Sequence, residues 1–238
     1  GHFPHNCNTA TLDITQRTAT RNGVKKIDPD VVVHLASYTD VDGCEKNREK
    51  AWQVNVVGTE NLIDSVRETP TSFIYISSDY IFDGTSGPYD ESAKPSPINY
   101  YGKTKLAAEN AVRGSGDHWV IFRTIVLYGE SSKSDASFVN WVVSSLQARK
   151  SITVVDDQWG NPTWTGGIAE AIKMSIVLNI RGIFNYGGSE FLTRFEFARK
   201  IAEVFSLDAS LISPTTTEAL GQTAPRPLRS GLVTDKVE

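Results

Sequence analysis

The sequence is poor in cysteine, in excess charge and in long apolar runs, and each shortage excludes a class of protein. Its two cysteines, Cys7 and Cys44, are too few for a disulfide scaffold or a cysteine-ligated metal site. A formal net charge of −4 is typical neither of nucleic-acid-binding proteins nor of proteins that bind anionic membranes. No apolar run approaches the roughly 18 residues of a membrane span, and no charged-then-apolar leader is seen. We therefore expect a cytoplasmic protein whose partners include no metal, membrane or nucleic acid.

The remaining composition is that of an ordinary folded chain. Apolar residues make up 39% and charged residues 22% of the 238 positions, which excludes the disordered and fibrous classes. This length holds one or two domains of roughly 100–200 residues each, and such domains bury a sufficient core without disulfides or metals. Composition therefore favours a globular enzyme.

Strand and helix patterns alternate along the chain. Strands are predicted over 31–36, 73–78, 119–126, 152–155 and 182–185, and helices over 45–67, 98–112, 137–148, 168–178 and 193–205. Thr193 and Glu196 have the spacing of a capping box at the start of the last helix. Residues 1–30 give no clear prediction, and 213–238 are expected to be loops. The alternation predicts an α/β fold with a doubly wound parallel sheet.

A tyrosine and a lysine at helical spacing are the first candidates for chemistry. Tyr101 and Lys105 are four residues apart at the start of a predicted helix, so they share one face. A phenol has an ordinary pKa of about 10, and a nearby ammonium lowers that pKa by favouring the phenolate. The pair would therefore suit a proton donor to an oxygen that forms at a carbonyl carbon. The alternative is an exposed tyrosine beside a solvated lysine.

Small and polar residues follow two of the predicted strands. Ser78 and Asp79 follow one strand, and Ala36, Ser37 and Tyr38 follow another. In open α/β sheets, ligands bind beyond these carboxyl ends. A serine there could orient a substrate carbonyl toward the tyrosine, and small residues would let a flat cofactor pass close to the backbone. The alternatives are a serine that caps a turn and small residues that pack under a helix.

Asn55 lies inside a predicted helix, where asparagine is mildly unfavourable. It could hold a kink or a water molecule near the tyrosine–lysine pair, or it could be a satisfied amide on the helix face.

Seven segments together form a specific pattern. They are SSDYIFDG (77–84), PY (88–89), YGKTKL (101–106), LDIT (12–15), PDVVVHLASYTDVD (29–42), DDQWGNPT (156–163) and RPLRS (226–230). In their order along the chain, these segments resemble the extended short-chain dehydrogenase/reductases, and within them the dTDP-4-dehydrorhamnose reductase family. The resemblance covers about residues 12–238, and the segments are jointly far more specific than any one alone.

The resemblance implies a fold and an activity. The fold is a doubly wound parallel-sheet Rossmann fold with a small C-terminal substrate lobe. The dinucleotide-binding domain would take residues 1–128 and 165–187, and the lobe residues 129–164 and 188–238. The activity is NADPH- or NADH-dependent reduction of the 4-keto group of a nucleotide-linked 6-deoxysugar, as in dTDP-4-dehydrorhamnose to dTDP-rhamnose.

The resemblance also implies roles for individual residues. Catalysis would fall to Ser78, Tyr101 and Lys105. The cofactor would be bound by Asp13, Ile14, Ala36, Ser37, Tyr38, Asn55 and Lys105. The sugar nucleotide would be bound by Asp79, Tyr80, Trp159 and Arg226, the last because a guanidinium binds phosphate oxygens in pairs. For Arg226 the alternative is that it caps a loop or pairs with an acid.

One feature of the family is missing from the sequence. A Rossmann enzyme begins with a strand and a glycine-rich turn that places pyrophosphate at a helix N-terminus. No G-x-x-G-x-x-G occurs in these 238 residues. The family places this turn some tens of residues before Asp13. Members of the family also continue for a few tens of residues beyond the RPLRS segment. We therefore expect the sequence to be part of a longer protein.

Other functions stay open at this point. A nucleotide-sugar epimerase or dehydratase is one, but dehydratases usually place Asp-Glu after the serine or threonine, whereas Asp79 and Tyr80 follow here. A non-catalytic regulatory subunit resembling the beta subunit of methionine adenosyltransferase is another, although segment 156–163 fits the reductases better. The choice between NADH and NADPH, the exact sugar and a homodimeric state are also open.

Overall fold

The protein is described from a computed structural model over residues 9–129 and 137–237. Cys7 and the predictions for residues 1–8 and 130–136 lie outside the described residues. The helices are α1 (Arg17–Ile27), α2 (Val41–Lys46), α3 (Arg48–Trp52), α4 (Gly58–Val66), α5 (Tyr100–Arg113), α6 (Phe138–Gln147), α7 (Thr165–Val177), α8 (Arg194–Val204) and α9 (Thr217–Leu220). The strands are β1 (Val31–His34), β2 (Ser72–Ser78), β3 (Trp119–Thr124), β4 (Leu127–Tyr128), β5 (Ile152–Val155), β6 (Trp159–Gly160), β7 (Thr163–Trp164), β8 (Gly182–Tyr186), β9 (Leu192–Thr193) and β10 (Ile212–Thr215).

A four-stranded parallel sheet of order β1-β2-β3-β8 forms the larger part of the fold. Alternate residues of β2 enter different cores. Phe73 and Tyr75 pack with α4 and α5, whereas Ile74 packs with Ile168 of α7. Because both faces of the sheet are covered, its strands are continuous apolar runs. The predicted α/β fold with a doubly wound parallel sheet is confirmed.

The second lobe has a core of its own. Buried residues of α6, α8, β5 and β10 form it: Val142, Leu146, Ile152, Val154, Phe197, Ala198, Ile201, Ala202 and Ile212. The predicted capping box at the start of α8 is confirmed, because Thr193 Oγ1 accepts from the Glu196 amide at 3.0 Å and the Glu196 carboxylate accepts from the Thr193 amide at 2.7 Å. This cap fixes where α8 begins, at the boundary with the larger part of the fold.

The prediction of one helix over 45–67 is wrong. The Asn47 side chain accepts from the Lys50 amide and starts a new helix, α3, so α2 ends before it. A π-helical turn at Gln53–Val57 then joins α3 to α4. An apolar stripe with helical spacing cannot distinguish these breaks from a regular helix, because all the segments present the same buried face.

Two further differences concern the ends of the described chain. Helix α1 lies within residues 1–30, for which there is no clear prediction. Only Thr20 and Val24 of its residues are buried, so it has no apolar stripe to recognise. Strand β10 extends into the stretch predicted as loops, where Ser213 pairs in parallel with Thr153 of β5. Both elements depend on distant packing partners more than on a local pattern.

Two kinds of feature are absent from the part of the chain that the structure describes. No helix there combines the length and the apolar character that a membrane crossing requires. No three His, Cys, Asp or Glu side chains there are grouped so that they could hold a metal ion.

Candidate active site

A cavity of about 400 Å³ lies where the carboxyl ends of β2 and β3 face the second lobe. Its lining includes seven of the residues that the sequence pattern singles out: Ser37, Ser78, Asp79, Tyr80, Tyr101, Lys105 and Trp159. This is the position at which open α/β sheets bind their ligands. The fold therefore brings together residues that are up to 122 positions apart in the sequence.

Tyr101 is placed by the first turn of α5. The Asn99 side chain accepts from the Gly102 amide at 2.8 Å and so caps the helix. Gly102 has no room for a side chain, because a Cβ there would lie 2.0 Å from the Tyr80 carbonyl oxygen. The rings of Tyr101 and Tyr80 meet edge to face, with centroids 5.6 Å apart. These contacts hold the Tyr101 ring almost fully buried against the Asp79–Ile81 turn.

Burial raises the pKa of Tyr101 far above its ordinary value, and the charge of Asp79 raises it further, whereas a hydrogen bond with Ser78 lowers it. The prediction that Lys105 lowers the pKa of Tyr101 is wrong, because the net shift of that pKa is upward. Loss of solvation outweighs any effect of the ammonium, which lies against other groups. Tyr101 is therefore a phenol and not a phenolate at neutral pH.

Lys105 is buried one helical turn after Tyr101. Its Nζ donates to the Ile76 carbonyl oxygen at 2.7 Å and lies 4.3 Å from the centroid of the Tyr75 ring. Burial lowers the pKa of Lys105 to about 7, although the charge of Glu109 opposes this shift. Lys105 can therefore gain or lose its charge near neutral pH, which an exposed lysine cannot do.

Ser78 ends β2 and caps the turn that follows. Its Oγ accepts from the Tyr80 amide at 3.2 Å and donates to Asp79 Oδ1 at 3.0 Å. The other Asp79 oxygen accepts from the hydroxyl of Ser230. Burial raises the pKa of Asp79 to about 6, while the hydrogen bonds from Ser230 and Ser78 lower it. Ser78 is thus a turn cap that also lines the cavity, and its role toward a substrate carbonyl stays a prediction.

Asn55 lies beneath the cavity, in the π-helical turn. Its amide oxygen accepts from the Tyr38 amide at 2.7 Å and from Ser37 Oγ at 3.0 Å. Its amide nitrogen donates to Thr104 Oγ1 at 2.9 Å. A buried asparagine that uses both ends in this way ties the loop after β1 to α5.

Five of the residues expected at the cofactor do not line this cavity: Asn55, Asp13, Ile14, Ala36 and Tyr38. Asp13 is exposed, and its carboxylate accepts from the amide and hydroxyl of Thr15. The Ile14 carbonyl accepts from Asn61 of α4 at 2.9 Å. Ala36 is exposed just after β1. A cofactor that touched these residues as well as Ser37 and Lys105 would extend beyond the cavity.

Two of the four residues expected at the sugar nucleotide, Trp159 and Arg226, already have partners. Trp159 stacks on Phe191 with ring centroids 5.6 Å apart, and the Arg229 guanidinium lies 5.6 Å from the Trp159 ring. Arg226 donates to Asp42 Oδ1 at 3.0 Å and to the Ala224 carbonyl at 2.8 Å. The alternative considered for Arg226, an ion pair with an acid, is thus what the structure shows.

Arg194 is a site residue that the sequence pattern did not single out. It lines the first cavity and also an adjoining cavity of about 440 Å³ that Trp141 and Arg226 border. The sequence shows it only as the residue after the N-cap Thr193, a position with no special meaning for chemistry. Burial raises the pKa of Asp79 and of Tyr80, and the charge of Arg194 acts to lower both, an effect between residues more than 110 positions apart that the sequence does not show.

The comparisons with known proteins agree with this geometry. The family described as RmlD substrate binding domain matches residues 2–238. A dTDP-4-keto-6-deoxy-D-glucose reductase of Streptomyces niveus is 35% identical over 219 residues, which cover 90% of this chain and 75% of that protein. Methionine adenosyltransferase 2 subunit beta of Xenopus tropicalis is 34% identical over 233 residues, which cover 95% of this chain and 70% of that protein.

A solved structure gives the same result. The dTDP-4-dehydrorhamnose reductase of Bacillus anthracis, in complex with NADP, superimposes with a TM-score of 0.90 at 32% identity. The superposition covers 95% of this chain and 79% of that one. These matches confirm the expected family, its Rossmann-like fold, its class of oxidoreductases and its nicotinamide cofactor. This chain belongs to the RmlD substrate binding domain family.

Proposed function

We propose that this protein reduces the 4-keto group of a nucleotide-linked 6-deoxysugar, with NADPH or NADH as the hydride donor. The first candidate reaction is dTDP-4-dehydrorhamnose to dTDP-rhamnose. The observation that carries the proposal is that Ser78, Tyr101 and Lys105 line one cavity at the carboxyl edge of the sheet. The reductase relatives support the same reaction class.

The cavity fits a nicotinamide cofactor. Among the described residues, the buried hydroxyls of Ser77 and Thr124 have no hydrogen-bond partner, and both line the cavity beside Lys105. Buried hydroxyls without a partner are costly unless a ligand satisfies them. Ser37 and Lys105, which both line the cavity, would hold the cofactor. The bound cofactor would supply a hydride to C4 of the sugar.

Tyr101 would supply the proton that completes the reduction. Its raised pKa keeps the hydroxyl protonated, so the proton is available for the sugar O4 as that oxygen gains charge. Ser78 would orient the carbonyl, and a protonated Lys105 would help to restore the proton on Tyr101. The products are the 4-hydroxyl sugar and the oxidised cofactor, so one hydride and one proton are consumed in each turnover.

The second cavity would take the rest of the substrate. Both cavities share Tyr80 and Arg194, and the second adds Trp141 and Arg226. Two guanidiniums suit a diphosphate, and an aromatic side chain suits a base. To bind phosphate oxygens, Arg226 would have to give up part of its contact with Asp42. The phosphate contact would be equal in the ground state and the transition state, so Arg226→Ala should raise KM for the nucleotide sugar more than it lowers kcat.

The test is an assay of the whole protein with dTDP-4-keto-6-deoxy-L-mannose and each nicotinamide in turn. We expect oxidation of one cofactor in step with formation of the 4-hydroxyl sugar. Formation of an epimerised sugar without net cofactor oxidation would instead indicate an epimerase, and formation of a 4-keto-6-deoxysugar from dTDP-glucose would indicate a dehydratase. The residue after Asp79 is Tyr80 and not glutamate, which supports reduction.

A second candidate is a regulatory subunit. The 34% sequence identity with methionine adenosyltransferase 2 subunit beta favours it, because that relative is named as a subunit of a larger enzyme. A pull-down against a methionine adenosyltransferase catalytic subunit separates the two functions. A tight complex together with no turnover of any nucleotide sugar would establish the second candidate and reject the first.

A further inference from the structure

The carboxylate of Asp79 lies between two serine hydroxyls, one from the preceding residue and one from 151 residues later in the chain. Ser78 Oγ donates to Asp79 Oδ1 at 3.0 Å, and Ser230 Oγ donates to Asp79 Oδ2. The three side chains are buried, with Asp79 only 2% exposed. The carboxylate therefore exchanges hydrogen bonds with a few fixed partners and not with bulk water.

A serine hydroxyl has one proton, so it donates to one acceptor at a time. An ionised carboxylate has no proton and can only accept. While Asp79 is ionised, the proton of Ser78 is committed to Oδ1. Ser78 Oγ can then act only as an acceptor, both toward Tyr101, with which it also shares a hydrogen bond, and toward the rest of the cavity. When Asp79 carries a proton on Oδ1, it donates to Ser78 Oγ, and the Ser78 proton is released toward the cavity.

We propose that Asp79 is a positioning residue that sets the direction of the hydrogen bond between Ser78 and the reacting oxygen. Protonated Asp79 makes Ser78 a donor, which suits a substrate carbonyl and therefore reduction. Ionised Asp79 makes Ser78 an acceptor, which offers no proton to the reacting oxygen and therefore slows the reaction in both directions. The inference rests on the proposed function for its substrate, but the link between Asp79 and Ser78 does not.

The groups around Asp79 allow both states. Tyr101 faces it from α5, Tyr80 from the same turn, Arg194 from α8 and Ser230 from the C-terminal segment. Burial favours the neutral acid, whereas Arg194 and the two serines favour the carboxylate. The balance places the pKa of Asp79 at about 6, so both forms are populated within the range of an enzyme assay.

Asp79→Asn gives a fixed version of one state. Its amide nitrogen can donate to Ser78 while its amide oxygen still accepts from Ser230, which is the pattern of the protonated acid. In the native protein, kcat/KM for reduction should fall as pH rises through the Asp79 pKa, by up to tenfold per pH unit. In Asp79→Asn this inflection should be absent, and reduction should stay at its acid-side value.

Ser78→Ala supplies the double-mutant comparison. If Asp79 acts through Ser78, then Ser78→Ala and the double variant should have the same kcat/KM and the same pH profile. An effect of Asp79→Asn that persists in the Ser78→Ala background would overturn the proposal, as would an Asp79→Asn profile identical to that of the native protein. A thermal melt of each variant confirms that it is folded.

A second measurement does not require turnover. Carbon NMR of the Asp79 carboxyl gives its pKa in the protein without substrate. Ser78→Ala and Ser230→Ala each remove a hydrogen bond to the carboxylate, so each should raise that pKa. An Asp79 pKa that is unchanged in Ser78→Ala overturns the proposal even if the assay succeeds. If the Asp79 pKa rises in Ser78→Ala but no nucleotide sugar is reduced, the proposed function is rejected and the link between Asp79 and Ser78 is established.

Discussion

At the scale of single residues, the hydroxyl of Tyr101 is the group on which turnover should depend most directly. Tyr101→Phe keeps the ring contact with Tyr80 and removes only the proton donor. We expect kcat to fall by roughly 10²–10⁴-fold, the range typical of a general acid, with little change in melting temperature. Steady-state kinetics and a thermal melt of the purified variant measure both quantities.

The adjacent tyrosine provides the control. Tyr100 is half-buried under the Arg48 guanidinium and does not line the cavity. Tyr100→Phe should therefore keep its turnover. Near-normal turnover in Tyr101→Phe would remove Tyr101 from the reaction.

Lys105 should give the protein a pH-dependent stability. Its pKa in the folded chain, about 7, is below the ordinary value of 10.5, so the unfolded chain binds more protons between these two values. The contribution of Lys105 to the free energy of unfolding therefore rises as pH increases from about 7 to about 10. Lys105→Met removes this contribution, so the stability of the variant relative to the native protein should be greatest at pH 7 and decline toward pH 10.

Urea denaturation at several pH values measures this difference. Lys103→Met on the exposed face of α5 is the matched control, and its stability should run parallel to that of the native protein. The loss of the hydrogen bond to the Ile76 carbonyl adds a constant offset that does not depend on pH. If the free energy of unfolding of Lys105→Met runs parallel to that of the native protein between pH 7 and pH 10, burial does not lower the pKa of Lys105.

At the scale of elements, a buried ion pair joins α5 to β3. Arg123 donates to both carboxylate oxygens of Glu109, at 2.9 and 3.1 Å, and to the Glu91 carbonyl at 3.2 Å. Glu109→Leu leaves the Arg123 charge buried without its partner, which should lower the free energy of unfolding by about 3–5 kcal/mol. The double variant Glu109→Leu with Arg123→Met should lose less than Glu109→Leu alone, because no charge is then left buried.

An exposed ion pair on α7 shows what the same deletion costs at the surface. Lys173 and Glu170 are both largely exposed and pair at 2.9 Å. Glu170→Ala should change the free energy of unfolding by less than about 1 kcal/mol. Equal losses in Glu109→Leu and Glu170→Ala, compared by urea denaturation, would show that burial does not govern the pair between α5 and β3.

Elements differed in how far the sequence could predict them. Helix α8 was predicted within one residue at each end, because its capping box is a local pattern of two side chains. The region of α2, α3 and the π-helical turn was predicted as one helix, because the Asn47 cap and the Asn55 bonds to Ser37 and Tyr38 depend on geometry that spacing does not show. Helix α1 has too few buried residues to give a pattern.

At the scale of the whole molecule, cofactor binding between the sheet and the second lobe should stabilise the fold. A ligand that binds only the native state, at about 100 times its dissociation constant, adds about 2.7 kcal/mol. For a chain of this size that corresponds to a rise in melting temperature of about 5–10 °C. Thermal melts of the whole protein with NADPH and with NADH measure the rise, and the larger rise identifies the preferred cofactor.

The candidate cavity gives this measurement its control. Lys105→Met should reduce the rise, because Lys105 lines the cavity on the cofactor side, whereas Lys103→Met should leave it intact. No rise with either nicotinamide at millimolar concentration would contradict the proposed oxidoreductase.

The sequence by itself determined the features that a few neighbouring residues encode. These are the apolar runs of the parallel sheet, the capping box of α8, the shared helix face of Tyr101 and Lys105, and the segments that carry the family resemblance. Each depends on periodicity or on spacing within one turn or one strand. Such patterns can be found without knowledge of what packs against them.

Only the tertiary structure decided the electrostatics of the site. Arg226 pairs with Asp42, 184 residues away, and Ser230 binds Asp79, 151 residues away. The raised pKa of Tyr101 and the lowered pKa of Lys105 both come first from burial, so the charge effect that spacing predicted is not the dominant one. Burial and long-range pairing depend on the distances between atoms after folding, and the order of residues along the chain does not give those distances.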